Sequence, residues 1–550
     1  MATAVRTRGR TKARKELLGG STNGTNRPPA DGQLLVAPPV PWARLRDRRV
    51  FGGDFDVAEE ARLLAGYRAV LVASLRAVCG WMPQMAEHEV KMACGRHMYD
   101  DARHADALTR RMAELRLPLD DAPPVPPPLR RLLDELVYAE DTPSFLAGIY
   151  RVVKPALLAA VTDHLAASDP VADVPTRLVL EPVVASLHEH LRWGQTAVEE
   201  LGRHTSSRKS ILWEAHLQTL LANAGGSLTE AIRRHEAHPE AAEAGTGAVR
   251  GNHAAPRAPF RPTDEARRDP RFQIEGVAGN TETDKKSKVE MMVNEEAGPP
   301  RGGPERKDHV TWARENLHRI ANEVQAVETC ARLIWDGEPR GLPWQFTVDI
   351  ARQLWDEVRH VEISQKRLEQ LGGYLGMYPV MTANYNFRCQ LPIELRIADL
   401  MLSGETHGLN NQMHMRERCR KAGDVQTRRL HDYMQADEVQ HVQFGRRWAV
   451  HLARQQLGQD APDAEVRALL RQWVQEAKEA RIAYTKTGNA FANEGESALA
   501  RGDTPEKKQE AAKPVDIRTL RLAGLTEEEI QEMVQKAGGA VLEPAELTRR

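Results

Sequence analysis

The pentapeptide DEV-x-H occurs twice, as Asp356-Glu357-Val358-Arg359-His360 and as Asp437-Glu438-Val439-Gln440-His441, and each copy interrupts an apolar helical stripe. Around the first copy, Phe346, Ile350, Leu354, Glu357, Val361, Ser364, Leu368 and Leu371 follow at steps of three or four, the spacing of one helical face. Around the second, Leu430, Met434, Glu438, His441, Gly445, Trp448 and Leu452 do the same. Glu357 and Glu438 therefore sit in the core-facing stripe, and His360 and His441, three residues on, share that sector. A single Glu-x-x-His pair is ordinary on a solvated helix. Two copies with shared flanking text point to a repeated core feature.

The helix before each copy offers one more inward glutamate. Glu323 is flanked by Ile320, Val327 and Ile334, and Glu405 by Ala398, Leu402 and Leu409. The distance along the chain from Glu323 to Glu357 agrees within one residue with that from Glu405 to Glu438. Glu328 also lies on an apolar-flanked row but breaks this symmetry, so Glu323 is preferred. Four carboxylates in one core repel each other and lose their hydration, so most would protonate unless cations join them. Two divalent ions balance four carboxylates. Oxygen and imidazole donors without thiolate suit iron or manganese better than structural zinc.

These residues resemble the ferritin-like di-iron-carboxylate superfamily, whose four-helix bundle takes one Glu from each of two helices and Glu-x-x-His from each of the other two. Glu323, Glu357, His360, Glu405, Glu438 and His441 match its six metal positions, over about residues 308–455. The resemblance implies a ferritin-like four-helix bundle with a di-metal site. It also implies Asp356 and Asp437 as hydrogen-bond partners of the ligating histidines, with Arg359 beside them. The second copy carries Gln440 where Arg359 stands. The implied cofactors are two iron ions, an iron–manganese pair or two manganese ions, with O2 as co-substrate. The implied activity is hydroxylation, oxidation or N-oxygenation of a small molecule, with a reductase or ferredoxin as electron donor. Two other readings stay open: a ferroxidase or iron-handling protein, and an interaction protein braced by metal.

The rest of the chain reads as all-α. Residues 51–236 and 308–492 are rich in Ala, Leu and Arg at helical periods, without the alternation of strands. Between them, 237–307 is rich in Gly, Pro and charge and reads as a disordered linker. Residues 1–50 read as a disordered basic tail. Residues 493–550 read as a tail with one short helix, started by the Thr526–Glu529 capping box. Lys plus Arg number 76 against 77 Asp plus Glu, which argues against nucleic acid as a partner, although the superfamily includes a tRNA-modifying hydroxylase. No run of about 18 apolar residues suggests a membrane span. Five scattered cysteines form no C-x-x-C pair, which fits a reducing cytoplasmic setting.

The first helical block carries echoes of the second. MYDDARHADALTRRMAEL places His104 where His360 stands and Asp101 where Glu357 stands, and SLHEHLRWG places His190 where His441 stands. Counting back at the same offsets lands on Tyr67 and Lys154 in place of Glu323 and Glu405, and position 187 is Leu. The block reads either as a degenerate copy, with Lys154 supplying charge where a metal was, or as a helical domain with coincidental histidines. The degenerate copy is the preferred reading, although Pro155, which would break an uninterrupted helix, argues for the second. Tyr374, Tyr378, Tyr385 and Phe387, on the segment joining the two helix pairs, read as a crossover packed on the bundle end rather than a substrate entrance. His407 and His431 read as surface or packing residues rather than ligands.

Overall fold

The computed structural model of the chain describes residues 47–204, 207–237, 258–274, 308–486, 515–537, 539 and 541. Residues 1–50 form a separate unit from Phe51–Arg550. The basic tail lies almost wholly outside the described residues. Within the second unit the described elements are helices, and among them there is no strand, only two isolated bridges.

The first half contains α1 (Val57–Trp81), α2 (His88–Glu114), α3 (Pro127–Glu135), α4 (Thr142–Ala147), α5 (Lys154–Ala167), α6 (Val174–His204), α7 (Ser207–Ala224) and α8 (Leu228–Ala237). The second half contains α9 (His309–Ala321), α10 (Val324–Gly337), α11 (Trp344–Gln370), α12 (Ala383–Arg388), α13 (Ile393–Ile397), α14 (Thr406–Ala422), α15 (Val425–Leu457) and α16 (Asp463–Lys486). A C-terminal hairpin, α17 (Ile517–Leu522) and α18 (Glu527–Lys536), follows. Local chemistry places the ends. Asp56 accepts from the Glu59 amide to start α1, and Gly423 takes φ 74° to turn α14 into α15. The expected box at Thr526 and Glu529 caps α18, and α17 adds a helix that the tail's composition did not announce.

Each half repeats one device. A π-helical turn, Gly148–Val153, joins α4 to α5, and another, Ala398–Glu405, joins α13 to α14. The first answers the objection raised by Pro155. The register shifts just before Lys154, so the proline falls at the start of a new α-helical segment, where its missing N–H is harmless.

One apolar core spans both halves: Leu64, Leu71 and Val78 of α1 belong to the same buried cluster as Val327 and Ile334 of α10 and Leu354 and Val358 of α11. Close approach of α2 and α11 depends on Gly95, where a Cβ would stand 2.7 Å from Val358 and 3.2 Å from Leu354. Two stretches, Val57–Gln84 and Thr142–Ala167, have the length and composition of membrane spans, but 61% and 67% of their windows are buried inside this fold.

The expected linker needs correction at 258–274, which is ordered against both halves; its remaining residues from 238 to 307 lie outside the described ones. Phe260 stacks edge-on to Trp335, the Arg267 amide donates to the Pro83 carbonyl at 2.8 Å, and Arg268 donates to Glu328 at 2.6 and 2.9 Å. Lys91 of α2 also pairs with Glu328 and donates to the Arg267 carbonyl at 3.1 Å. Burial, with Arg268 alongside, pulls the Lys91 ammonium down to about 8. A segment too polar to build its own core is ordered by placing one guanidinium on a buried carboxylate of its neighbour.

Gly95→Val is expected to lower stability by about 1–3 kcal/mol in thermal or denaturant unfolding, because α2 and α11 have no space to separate. Gly202→Ala, with nothing within 4 Å of the added carbon, is expected to be neutral or to gain up to about 1 kcal/mol.

Candidate metal centre

Glu357 and His360 come from α11, and Glu438 and His441 from α15, each pair three residues apart and buried. Glu323 stands at a break that the sequence read as continuous helix: α9 ends at Ala321, and Glu323 caps α10. Glu405 ends the π-helical turn, where the widened backbone carries its side chain to Gln353, whose amide donates to Glu405 Oε1 at 2.8 Å. Of these carboxylates Glu323 is the most exposed, at 29%.

Six side chains expected from the sequence thus meet. His360 Nδ1 lies 3.2 Å from Glu323 Oε2, 3.6 Å from Glu357 Oε2 and 3.9 Å from Glu438 Oε1. His441 Nδ1 lies 3.1 Å from Glu438 Oε2 and 3.4 Å from Glu357 Oε1. Two ligand groups result. Glu323, Glu357 and His360 each bring one donor atom within 4.8 Å of the others, and so do Glu357, Glu405 and His441. Glu357 is common to both, and Glu438 reaches both imidazoles.

The far sides of the imidazoles are held crosswise. His360 Nε2 faces Asp437 at 3.2 Å, and His441 Nε2 faces Asp356 at 3.5 Å, so each aspartate serves the histidine of the opposite helix. Arg359 ties the two aspartates together, pairing with Asp356 and lying 3.2 Å from Asp437 Oδ2, while Arg352 holds Asp356 at 2.9 Å. Anchoring Nε2 on an aspartate leaves Nδ1 facing the glutamates.

Charge in the cluster is unbalanced. Burial first, and Glu405 beside it, push Glu357 up to about 7, and the same two causes raise Glu438 well above the carboxylate range. Burial opposes the imidazolium forms, yet Asp437 and Glu323 outweigh it at His360, and Asp356 and Glu438 outweigh it at His441, raising both. Glu323 Oε2, Glu357 Oε1 and His360 Nδ1 are buried without a hydrogen bond. Four carboxylates, two imidazoles and orphaned donor atoms facing one another form a set that divalent cations would satisfy.

The cluster is not sealed. A cavity of about 710 Å³ is lined by Glu323, Glu357, Glu405 and Glu438, and also by the exposed His407, Lys478 and Lys536. His431 also lines it, but Gln412 holds its Nδ1 at 2.7 Å and Asn316 stands 3.2 Å from its Nε2, so it packs in a polar network. Glu328 is committed to Lys91 and Arg268, which removes the sequence ambiguity in favour of Glu323. Three of the four crossover rings pack: Tyr385 is buried with its hydroxyl on the Thr263 carbonyl at 2.6 Å, Phe387 packs on Tyr484 and Tyr378 on His318, whereas Tyr374 is 64% exposed. The crossover's Met381, Asn384 and Arg388, rather than the rings, line the cavity.

The first half holds a partial counterpart. Lys154 Nζ lies 2.6 and 2.7 Å from the Asp101 oxygens and 3.1 Å from His190 Nδ1, where the second half groups Glu405, Glu357 and His441. His190 Nε2 faces Asp100 at 3.1 Å, as His441 faces Asp356, and His104 Nε2 bonds Ser186 at 2.9 Å, as His360 faces Asp437. Gly194 admits Tyr150 as Gly445 admits Met401. Tyr67 departs from the pattern: its hydroxyl turns to His164 Nδ1 and the Ala160 carbonyl, both at 3.4 Å. A third group, Glu60, His164 and Asp173, was missed because its members sit on separate elements with no repeated text. There Thr176 donates to Glu60, and Arg111 holds Asp173 at 3.2 Å.

Comparison with known proteins adds one match. A family profile described as a protein of unknown function, DUF455, matches residues 254–490, a span that holds all six clustered residues and the ordered stretch 258–274. No curated protein and no solved structure matches the chain.

Glu328→Gln is expected to destabilise the fold by about 3–5 kcal/mol, because two buried cations lose their anion, while metal content stays unchanged. Glu323→Gln is expected to do the reverse, lowering metal content with little effect on unfolding. Lys154→Met should likewise destabilise by about 3–5 kcal/mol by stranding Asp101, again without changing bound metal.

Proposed function

We propose that residues 308–486 form a ferritin-like di-iron bundle that carries out O2-dependent oxidation of an organic substrate, with the first half as a copy that has lost its metals. The observation that carries this reading is the pair of three-residue ligand groups sharing Glu357 and opening into a cavity large enough for a small molecule. Glu323, Glu357 and His360 would hold one metal, and Glu357, Glu405 and His441 the other, with Glu438 close to both imidazoles as a further donor. When bound, the iron pair supplies the capacity to reduce O2, with electrons from a reductase or ferredoxin.

The chain's own residues have distinct tasks. The crossed Asp437–His360 and Asp356–His441 contacts orient both imidazoles, and Arg359, paired with both aspartates, holds them in place. Apolar neighbours such as Ile320, Leu400 and Leu402 keep the inner cavity poor in water. Lys154 supports the reading of the first half, because one buried ammonium on Asp101 supplies locally the positive charge that a metal ion would bring. A closed cluster would suit a metal brace; the cavity reaching Glu357 and Glu438 favours an enzyme over that alternative.

Metal analysis of protein purified without oxygen is expected to find about two iron ions per chain, falling to near zero in Glu357→Ala, with iron raising the melting temperature of the parent protein alone. Iron-loaded protein should then consume O2. A much larger iron load per chain would point to iron handling. Equal metal content in parent and variant would mean that the cluster is a buried ion-pair network.

A further inference from the structure

The cavity that reaches the cluster is electrostatically lopsided. Apart from the four glutamates, the carboxylate among its lining residues is Asp399, and that group is saturated: Arg388 donates to it at 2.8 Å, and Arg481 at 3.0 and 2.5 Å. Lys478 of α16 is exposed on the lining and has no ion pair among the described residues. Lys536 of α18 lies 3.9 Å from Glu532, a carboxylate on its own helix, with both groups well exposed, so that pairing is weak.

The lining that the lysines and glutamates share includes an apolar set, Ile320, Ala326, Leu400, Leu402, Val474 and Met533, beside polar side chains such as Gln325, Asn384 and Gln412. On the di-iron reading, which this inference rests on, two divalent ions cancel the four glutamate charges, and the lysines then set the sign of the cavity. The near-zero charge of the whole chain provides no field for a polyanion, so the local surplus suits a small one.

Lys536 and Met533 belong to the hairpin α17–α18, beyond the stretch matched by the family profile. The hairpin is docked firmly. Leu520, Ala523 and Ile530 bury themselves with Leu409 and Val442, the Gln443 amide donates to the Leu522 carbonyl at 2.7 Å, and Arg446 pairs with Glu529 at 2.9 Å. The element that completes one wall of the cavity is thus an addition to the matched region.

We propose that the substrate is a small amphipathic organic acid, its apolar body lying toward the glutamate cluster and its acidic group held at the mouth by Lys478 and by Lys536 of the C-terminal hairpin. Both lysines act in binding and selectivity, through charge-assisted hydrogen bonds to the acid.

Two probes of equal length and opposite charge, octanoate and octylamine, test this by calorimetry on the full chain, iron-loaded and iron-free. Octanoate is expected to bind the iron-loaded protein about tenfold or more tightly than octylamine, and the Lys478→Glu, Lys536→Glu double variant to lose about tenfold or more of that affinity with iron content unchanged. Loss of iron without removal of the lysine-dependent preference would overturn the di-iron reading alone. Equal binding of the two probes, or octanoate affinity indifferent to the double change, would overturn the organic-acid assignment whatever the iron content. An RNA oligonucleotide that displaces octanoate and binds more tightly would overturn it too.

Discussion

The second half is organised around the confinement of like charge. Glu357 and Glu438 are almost fully buried, Glu405 nearly so, and they face one another across α11, α15 and the π-helical turn. Such a group is tolerable only when something positive stands close by. The protein answers with geometry: each imidazole is gripped from behind by an aspartate of the opposite helix, and Arg359 and Arg352 neutralise those aspartates at the rim. Four successive layers of alternating charge result, from glutamate through histidine and aspartate to arginine. The break at Asn322–Glu323 and the widened turn ending at Glu405 are the departures from regular helix that bring the remaining carboxylates to the inner layer.

The first half meets the same constraint with other means. Asp100 and Ser186 grip His190 and His104, and Arg103 holds Asp100 at 2.7 Å, but the inner layer has no comparable surplus of carboxylate. Lys154 neutralises Asp101 directly, and Leu187 stands where the second half has Glu438. A protein-supplied ammonium needs no ligand set around it, which leaves Tyr67 free to turn to His164. The two halves share one core through α1, α2, α10 and α11.

Much of this was legible beforehand, and the reasons differ by element. Repetition made the carboxylate–imidazole cluster readable: Glu-x-x-His twice on apolar stripes, each preceded by an inward glutamate at matched spacing, sends like side chains into one core. The echo in DDARH and SLHEH was readable for the same reason, although Pro155 argued against it, because a π-helical turn has no composition of its own. The order of residues 258–274 was not readable. Its composition lacks a core, and its partners Lys91, Glu328 and Trp335 are far away in the chain. Glu328 is the instructive case: its apolar flanks correctly announced burial, but only the position of Arg268 and Lys91 decided that it serves as an anchor rather than a ligand.

By itself, the sequence determined the helices, the inward face of each and the residue types on that face, because these follow from periods of three and four and from capping chemistry that act within a single turn. Tertiary structure alone decided which aspartate grips which histidine, that Glu357 is shared by both ligand groups, that Lys154 rather than a metal balances Asp101, and that α18 closes one side of the cavity. Those outcomes depend on distances between separate helices, which are set by small contacts such as Gly95 on Val358 and Gly445 on Met401. Charge interactions in a dry core change steeply over an ångström, whereas periodicity carries no information about the gap between two helices.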